Sequence, residues 1–208
     1  MLIYLFYFIK FIKNKFMDTK EIKKLIGDNT QFTEEAKEYK YGFGRGNNRG
    51  SGTIHWPAKG ADCSKAKWLE LYDPKTENLS WISEVFPNIE VLELAYNKPQ
   101  KLKSLDGIED LKNLKSIIIN SQFDKNTELT IKSINSSVKE LYLWYTKIDF
   151  NIINDDMNFI YLHKTQVSNL DSIKNINCNY LRLNKIMSES GNKIDVDNFD
   201  GEFKDFKI

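Results

Sequence analysis

Six pairs of aliphatic residues separated by one position recur along the chain: Leu69/Leu71, Leu92/Leu94, Ile117/Ile119, Leu141/Leu143, Ile160/Leu162 and Leu181/Leu183. Successive pairs start 23, 25, 24, 19 and 21 residues apart. A fixed period in this range is the mark of a repeat architecture, in which one unit cannot bury its apolar face alone and stacking makes a continuous core. In five of the six units another residue of apolar character stands three places before the pair: Ile89, Leu114, Val138, Met157 and Cys178.

The pattern L-x-x-L-x-L, repeated at this spacing, resembles the bacterial leucine-rich repeat family over residues 67–186. "LKSLDGIEDLKNLKSIII", Leu102 to Ile119, is similar to a whole family unit, with Leu105, Ile108, Leu111 and Leu114 as inward residues of the return segment. The resemblance implies an α/β-type repeat solenoid. It would be a short leucine-rich repeat horseshoe of about six repeats, with a parallel concave sheet and an irregular or partly helical convex side. The family's turn asparagine is kept at Asn97, while Thr146 and Thr165 hold its place in two other units. Pro74, Gln122 and Ile186 stand there in the rest, so those turns are expected to be irregular.

The flanks read as caps. Asp18, Glu21, Ile22, Leu25, Ile26 and Gly27 carry the start, apolar face and stop of a short helix. A glycine-rich loop or hairpin follows from Tyr41 to Trp56, so residues 17–66 are expected to form an N-terminal cap. Residues 187–208, with Ile194, Val196, Phe199, Phe203, Phe206 and Ile208, supply an apolar set for a C-terminal cap. Residues 1–16 are apolar for nine positions before Lys10, which is short of the ~20 needed to span a bilayer. They read as an upstream extension or a weak membrane-surface anchor.

Alternation along a strand sends the paired leucines into the core and the residues between them to the concave face. That face carries Trp68 and Tyr72 at one end. At the other it gathers Tyr142, Trp144, Tyr145, Phe159, Tyr161, His163, Tyr180 and Arg182. Strands lie ~4.8 Å apart, so these side chains touch, and exposed Tyr, Trp and Arg are the residue types that dominate interface energetics. They are expected to be in water and to meet a partner protein. Two bland readings stand beside this one: cross-strand aromatic pairs that serve only the sheet, and a patch covered by the glycine-rich arm.

Signals of chemistry are weak. His55 and His163 share no metal-ligand spacing, no residue near them forms a nucleophile motif, and Cys178 occupies an apolar repeat position. Gly42, Gly44 and Gly46 lack the lysine and following helix of a phosphate loop. "DVDNFDG", Asp195 to Gly201, imitates a calcium loop but puts Phe199 at a ligand position. No metal, no cofactor and no catalysis are expected. A formal charge of +1 speaks against nucleic acid, and two cysteines without a CxxC fit a reducing, cytoplasmic compartment.

The expected function is therefore a monomeric, non-catalytic protein-binding module. Stand-alone bacterial proteins resembling this one include specific inhibitors, among them immunity proteins that neutralise toxins. The alternative is a membrane- or surface-associated adhesion or sensing protein, with membrane contact only through residues 1–16.

Overall fold

The structure is a computed structural model that describes residues 31–33, 54–55, 63–72, 74–96, 102–121, 129–194 and 200–202. The expected N-terminal helix, the segment 1–16 and the glycine-rich arm apart from Ile54 and His55 lie outside these residues.

A spacing of about two dozen residues leaves room for the return of a dozen or more that parallel neighbours require. Each L-x-L pair forms such a strand: β3 (Trp68–Tyr72), β4 (Val91–Tyr96), β5 (Ser116–Ser121), β7 (Glu140–Trp144), β9 (Asp156–His163) and β11 (Asn177–Asn184). They pair in parallel, in chain order, within one sheet. The register is strict. Leu69, Leu92, Ile117, Leu141, Ile160 and Leu181 stand in one row, and Leu71, Leu94, Ile119, Leu143, Leu162 and Leu183 in the next. All twelve are fully buried.

Antiparallel strands close both edges of this run: β1 (Gln31–Thr33) with β2 (Ile54–His55) beside β3, and β13 (Asp200–Glu202) beside β11. A second parallel sheet, in the order β12, β10, β8, β6, combines β6 (Thr130–Ile131), β8 (Lys147–Asp149), β10 (Gln166–Ser168) and β12 (Met187–Ser188). The expectation of an irregular or partly helical side opposite the leucine ladder did not include these four short strands. The return segments also carry short helical turns: α1 (Ile82–Val85) and 3-10 turns at Ile108–Asp110, Phe150–Ile152 and Leu170–Asn175.

One apolar cluster runs from Ala66 to Ile186 and contains both leucine rows, the return residues Leu105, Ile108, Leu111 and Leu114, and Ile131, Ile148 and Val167 of the second sheet. Side chains of one unit satisfy turn carbonyls of the unit before. Asn135 Nδ2 donates to the carbonyls of Glu109 and Leu111, and Asn154 Nδ2 to those of Asn135 and Val138. Gly107 brings two units close: with φ at +109°, its missing Cβ would stand 2.4 Å from Ser80 Cα.

Candidate functional site

The other face of the large sheet holds the residues between the leucines, also in register: Glu70, Glu93, Ile118, Tyr142, Tyr161 and Arg182. On the neighbouring row Phe159 stacks between Tyr142, with ring centroids at 4.7 Å, and Tyr180, at 5.5 Å. The expectation that this face stands in water fails for four of its aromatics. Trp68, Tyr142, Phe159 and Tyr161 are 2–8% exposed and pack with Val91 and Ile118 into a second apolar cluster. Glu70 and Glu93, opposite one another, are buried as well. Central parallel strands that are covered on both sides carry near-continuous apolar runs. "SIIIN" in β5 is such a run, so alternation here separates two sets of buried residues and does not separate inside from outside. The side chain of Tyr72 lies outside the described residues.

Accessible surface returns at the C-terminal ends of β7, β9 and β11. Trp144, Tyr145, His163 and Arg182 are half-buried there, as is Tyr180 on the neighbouring row. Trp144 meets His163 at 4.9 Å and Tyr161 edge-on at 6.2 Å; Tyr145 meets His163 edge-on at 6.0 Å. The Arg182 guanidinium lies 5.0 Å from the Tyr161 ring centre, within cation–π range.

Sequence reasoning missed the cations beside them. The residue after the outermost position of each strand is Tyr145, Lys164 and Lys185, and all three adopt left-handed backbone, with φ of 54°, 49° and 55°. Lys164 Nζ donates to the Tyr145 hydroxyl at 2.6 Å, and Lys185 is exposed. Their equivalence was readable one column beyond the residues considered, at the same offset from each L-x-L.

His163 carries the electrostatic signature of this corner. Burial of the ring, then the charges of Lys164, Lys185 and Arg182, hold its pKa below 6.5. Asn184, its register partner, opposes that shift. The Nδ1 of His163 and the Oδ1 of Asn184 are buried and make no hydrogen bond. Both are acceptors while the ring is neutral at Nδ1; protonation would let the ring donate to the amide oxygen.

Cys178 and Asp149 have structural employment. Cys178 is buried, and burial pushes its thiol up to about 11, which leaves no thiolate for nucleophilic attack near neutral pH. A groove of about 460 Å³ crosses the second sheet beside Lys147, Asp149 and Gln166. Its Asp149 accepts from Asn169 and from the backbone N–H of Asn151, which hold its carboxyl below the usual range. Among the described residues no group of His, Cys, Asp or Glu could hold a metal ion, and no helix is long and apolar enough to cross a membrane.

Comparison of the chain with known families, with curated proteins and with solved structures finds no match.

Proposed function

We propose that the chain is a leucine-rich repeat array that acts as a non-catalytic protein-binding module, and that it binds through the open corner of its aromatic face. The repeat reading is supported by the six in-register L-x-L strands and by Thr165. Placed where the family carries its turn asparagine, Thr165 donates from Oγ1 to the Leu143 carbonyl of the preceding unit at 3.1 Å.

The binding reading rests on one observation: Trp144, Tyr145, His163 and Arg182 converge half-exposed at the strand ends while Trp68, Tyr142, Phe159 and Tyr161 are packed away. Rigid aromatic and guanidinium groups that keep accessible surface are the anchors that interfaces use. Such a module would occupy another protein's surface, as a specific inhibitor does. Tyr142, Phe159 and Tyr161 support the corner from beneath and Tyr180 flanks it, while Trp68 packs at the far end of the same face.

The test is retention of a protein from native lysate by the wild-type chain and by a Trp144→Ala/Tyr145→Ala/His163→Ala variant whose circular dichroism is unchanged. A protein held by the first and lost by the second is the expected result. Equal retention by both, with a lowered melting temperature in the variant, would mean that the rings serve only the sheet.

A further inference from the structure

We propose that His163 and Asn184 form a proton-operated latch that regulates the binding corner: the neutral ring lies against Trp144 in the form that binds, and the protonated ring donates from Nδ1 to the Asn184 amide oxygen in a form that binds less well. The inference rests on the protein-binding reading and names how the same site is controlled.

Position is the first argument. Trp144, His163 and Asn184 stand in one row across β7, β9 and β11, with neighbouring strands ~4.8 Å apart. The ring therefore has a neighbour on each side. It packs on Trp144, with centroids at 4.9 Å, and makes no hydrogen bond to Asn184 through Nδ1.

Unsatisfied polarity is the second, independent argument. His163 Nδ1 and Asn184 Oδ1 are both buried and without a hydrogen-bond partner. Buried polar atoms are paired in the great majority of cases, so an exception in a folded chain calls for a cause. Here the cause is chemical. With the neutral ring's proton on Nε2, both atoms are acceptors and neither has anything to give the other. A proton taken from solvent on Nδ1 makes the ring an imidazolium and supplies the missing donor, and one charge-assisted bond then satisfies both atoms. Asn184 favours that charged form.

The surroundings set the direction. Among the described residues, the titratable and charged groups that face the ring are Tyr145 after β7, Tyr161 and Lys164 of β9 and its turn, and Arg182 and Lys185 of β11 and its turn. One strand further, β13 sets Asp200 opposite Arg182 and Glu202 opposite Tyr180. Burial, then Lys164, Lys185 and Arg182, keep the ring neutral above pH 6.5, so the latch closes only in acid. A partner docked on Trp144 and Tyr145 takes further water from the ring, and that costs an imidazolium more than an imidazole. By linkage, a proton that the complex resists weakens the complex.

The experiment is a nitrogen NMR titration of the His163 ring in the full chain, from about pH 8 to about pH 4. At the alkaline end the ring should carry its proton on Nε2, and the Asn184 side-chain amide should move with the same midpoint as the ring. Asn184→Leu should lower that midpoint by about half a unit or more, and Asn184→Asp, which offers a carboxylate to the same nitrogen, should raise it; either variant alone suffices if the other fails to fold. A neutral ring already protonated on Nδ1, an amide that does not follow the ring, or a midpoint unmoved by substitution would overturn the latch. The partner captured at neutral pH separates the two proposals. It should leave the wild-type chain as pH falls through the midpoint, and leave Asn184→Leu only at a lower pH. Release from both at the same pH leaves the binding reading standing and overturns the control by His163; a partner held equally by the aromatic variant overturns the binding reading, whatever the ring resonances show.

Discussion

At the scale of single residues, two threonines in equivalent turns make a controlled comparison. Thr165 Oγ1 donates to the Leu143 carbonyl, whereas the buried Oγ1 of Thr146 has no hydrogen-bond partner. Thr165→Val strands a buried carbonyl and is expected to cost about 1–2 kcal/mol, while Thr146→Val removes an unsatisfied hydroxyl and should be neutral or stabilising by up to ~1 kcal/mol; urea unfolding of the two variants checks the contrast. A second prediction concerns His163, whose pKa is depressed by burial and then by Lys164, Lys185 and Arg182. Lys185→Gln should raise the imidazole pKa in an NMR titration, and an unchanged value would remove Lys185 from the causes of the shift. Its linkage to folding has a definite sign. Below pH 6.5 the unfolded chain takes up a proton that the folded ring resists, so the His163 contribution is complete above 6.5 and is lost as pH falls toward the folded pKa. His163→Gln should flatten that part of a stability profile. The ring contacts of His163 were legible from its column in the repeat. Lys164 and Lys185 were not, because they sit in the turn, where period-2 reasoning has ended, whereas Arg182 stands in the strand and was read with its column.

At the scale of elements, the contacts between return segments decide stability. Gly107→Ala would drive a Cβ into the backbone of Leu79 and Ser80, at 2.4–2.5 Å, in a conformation that L-residues rarely adopt. A loss of about 3 kcal/mol or more is expected in denaturant titration. Asn154→Ala removes the donor to two turn carbonyls of the preceding unit, at 2.9 and 2.7 Å, and should cost about 1–3 kcal/mol. The six principal strands were legible because the L-x-L pairs, five of them with an apolar residue three places before, repeat at near-constant spacing. The second sheet was not. Its strands are two or three residues long, too short for alternation to register, and they form because the stack brings them side by side. Burial of Tyr142, Phe159 and Tyr161 escaped for a related reason: alternation reports that two faces differ, and residues on both faces here are buried.

At the scale of the whole molecule, one core joins all six units from Ala66 to Ile186. Leu143→Ala, in the fourth of them, should cost about 2–5 kcal/mol. If the core unfolds as one body, native-state hydrogen exchange will show β3 and β11 losing protection by the same amount. A loss confined to β7 and its neighbours would place the array in the nearest-neighbour regime of independent repeats. The ladder also has a consequence for the chain during synthesis. In the parallel run each strand pairs with the one made before it, 19–25 residues upstream, so no strand of that run waits for a distant partner. Loop-closure entropy is met in small, similar instalments. A ribosome releasing this chain would therefore add finished layers one at a time, and the edge exposed at any moment would be the one that the next segment is about to cover.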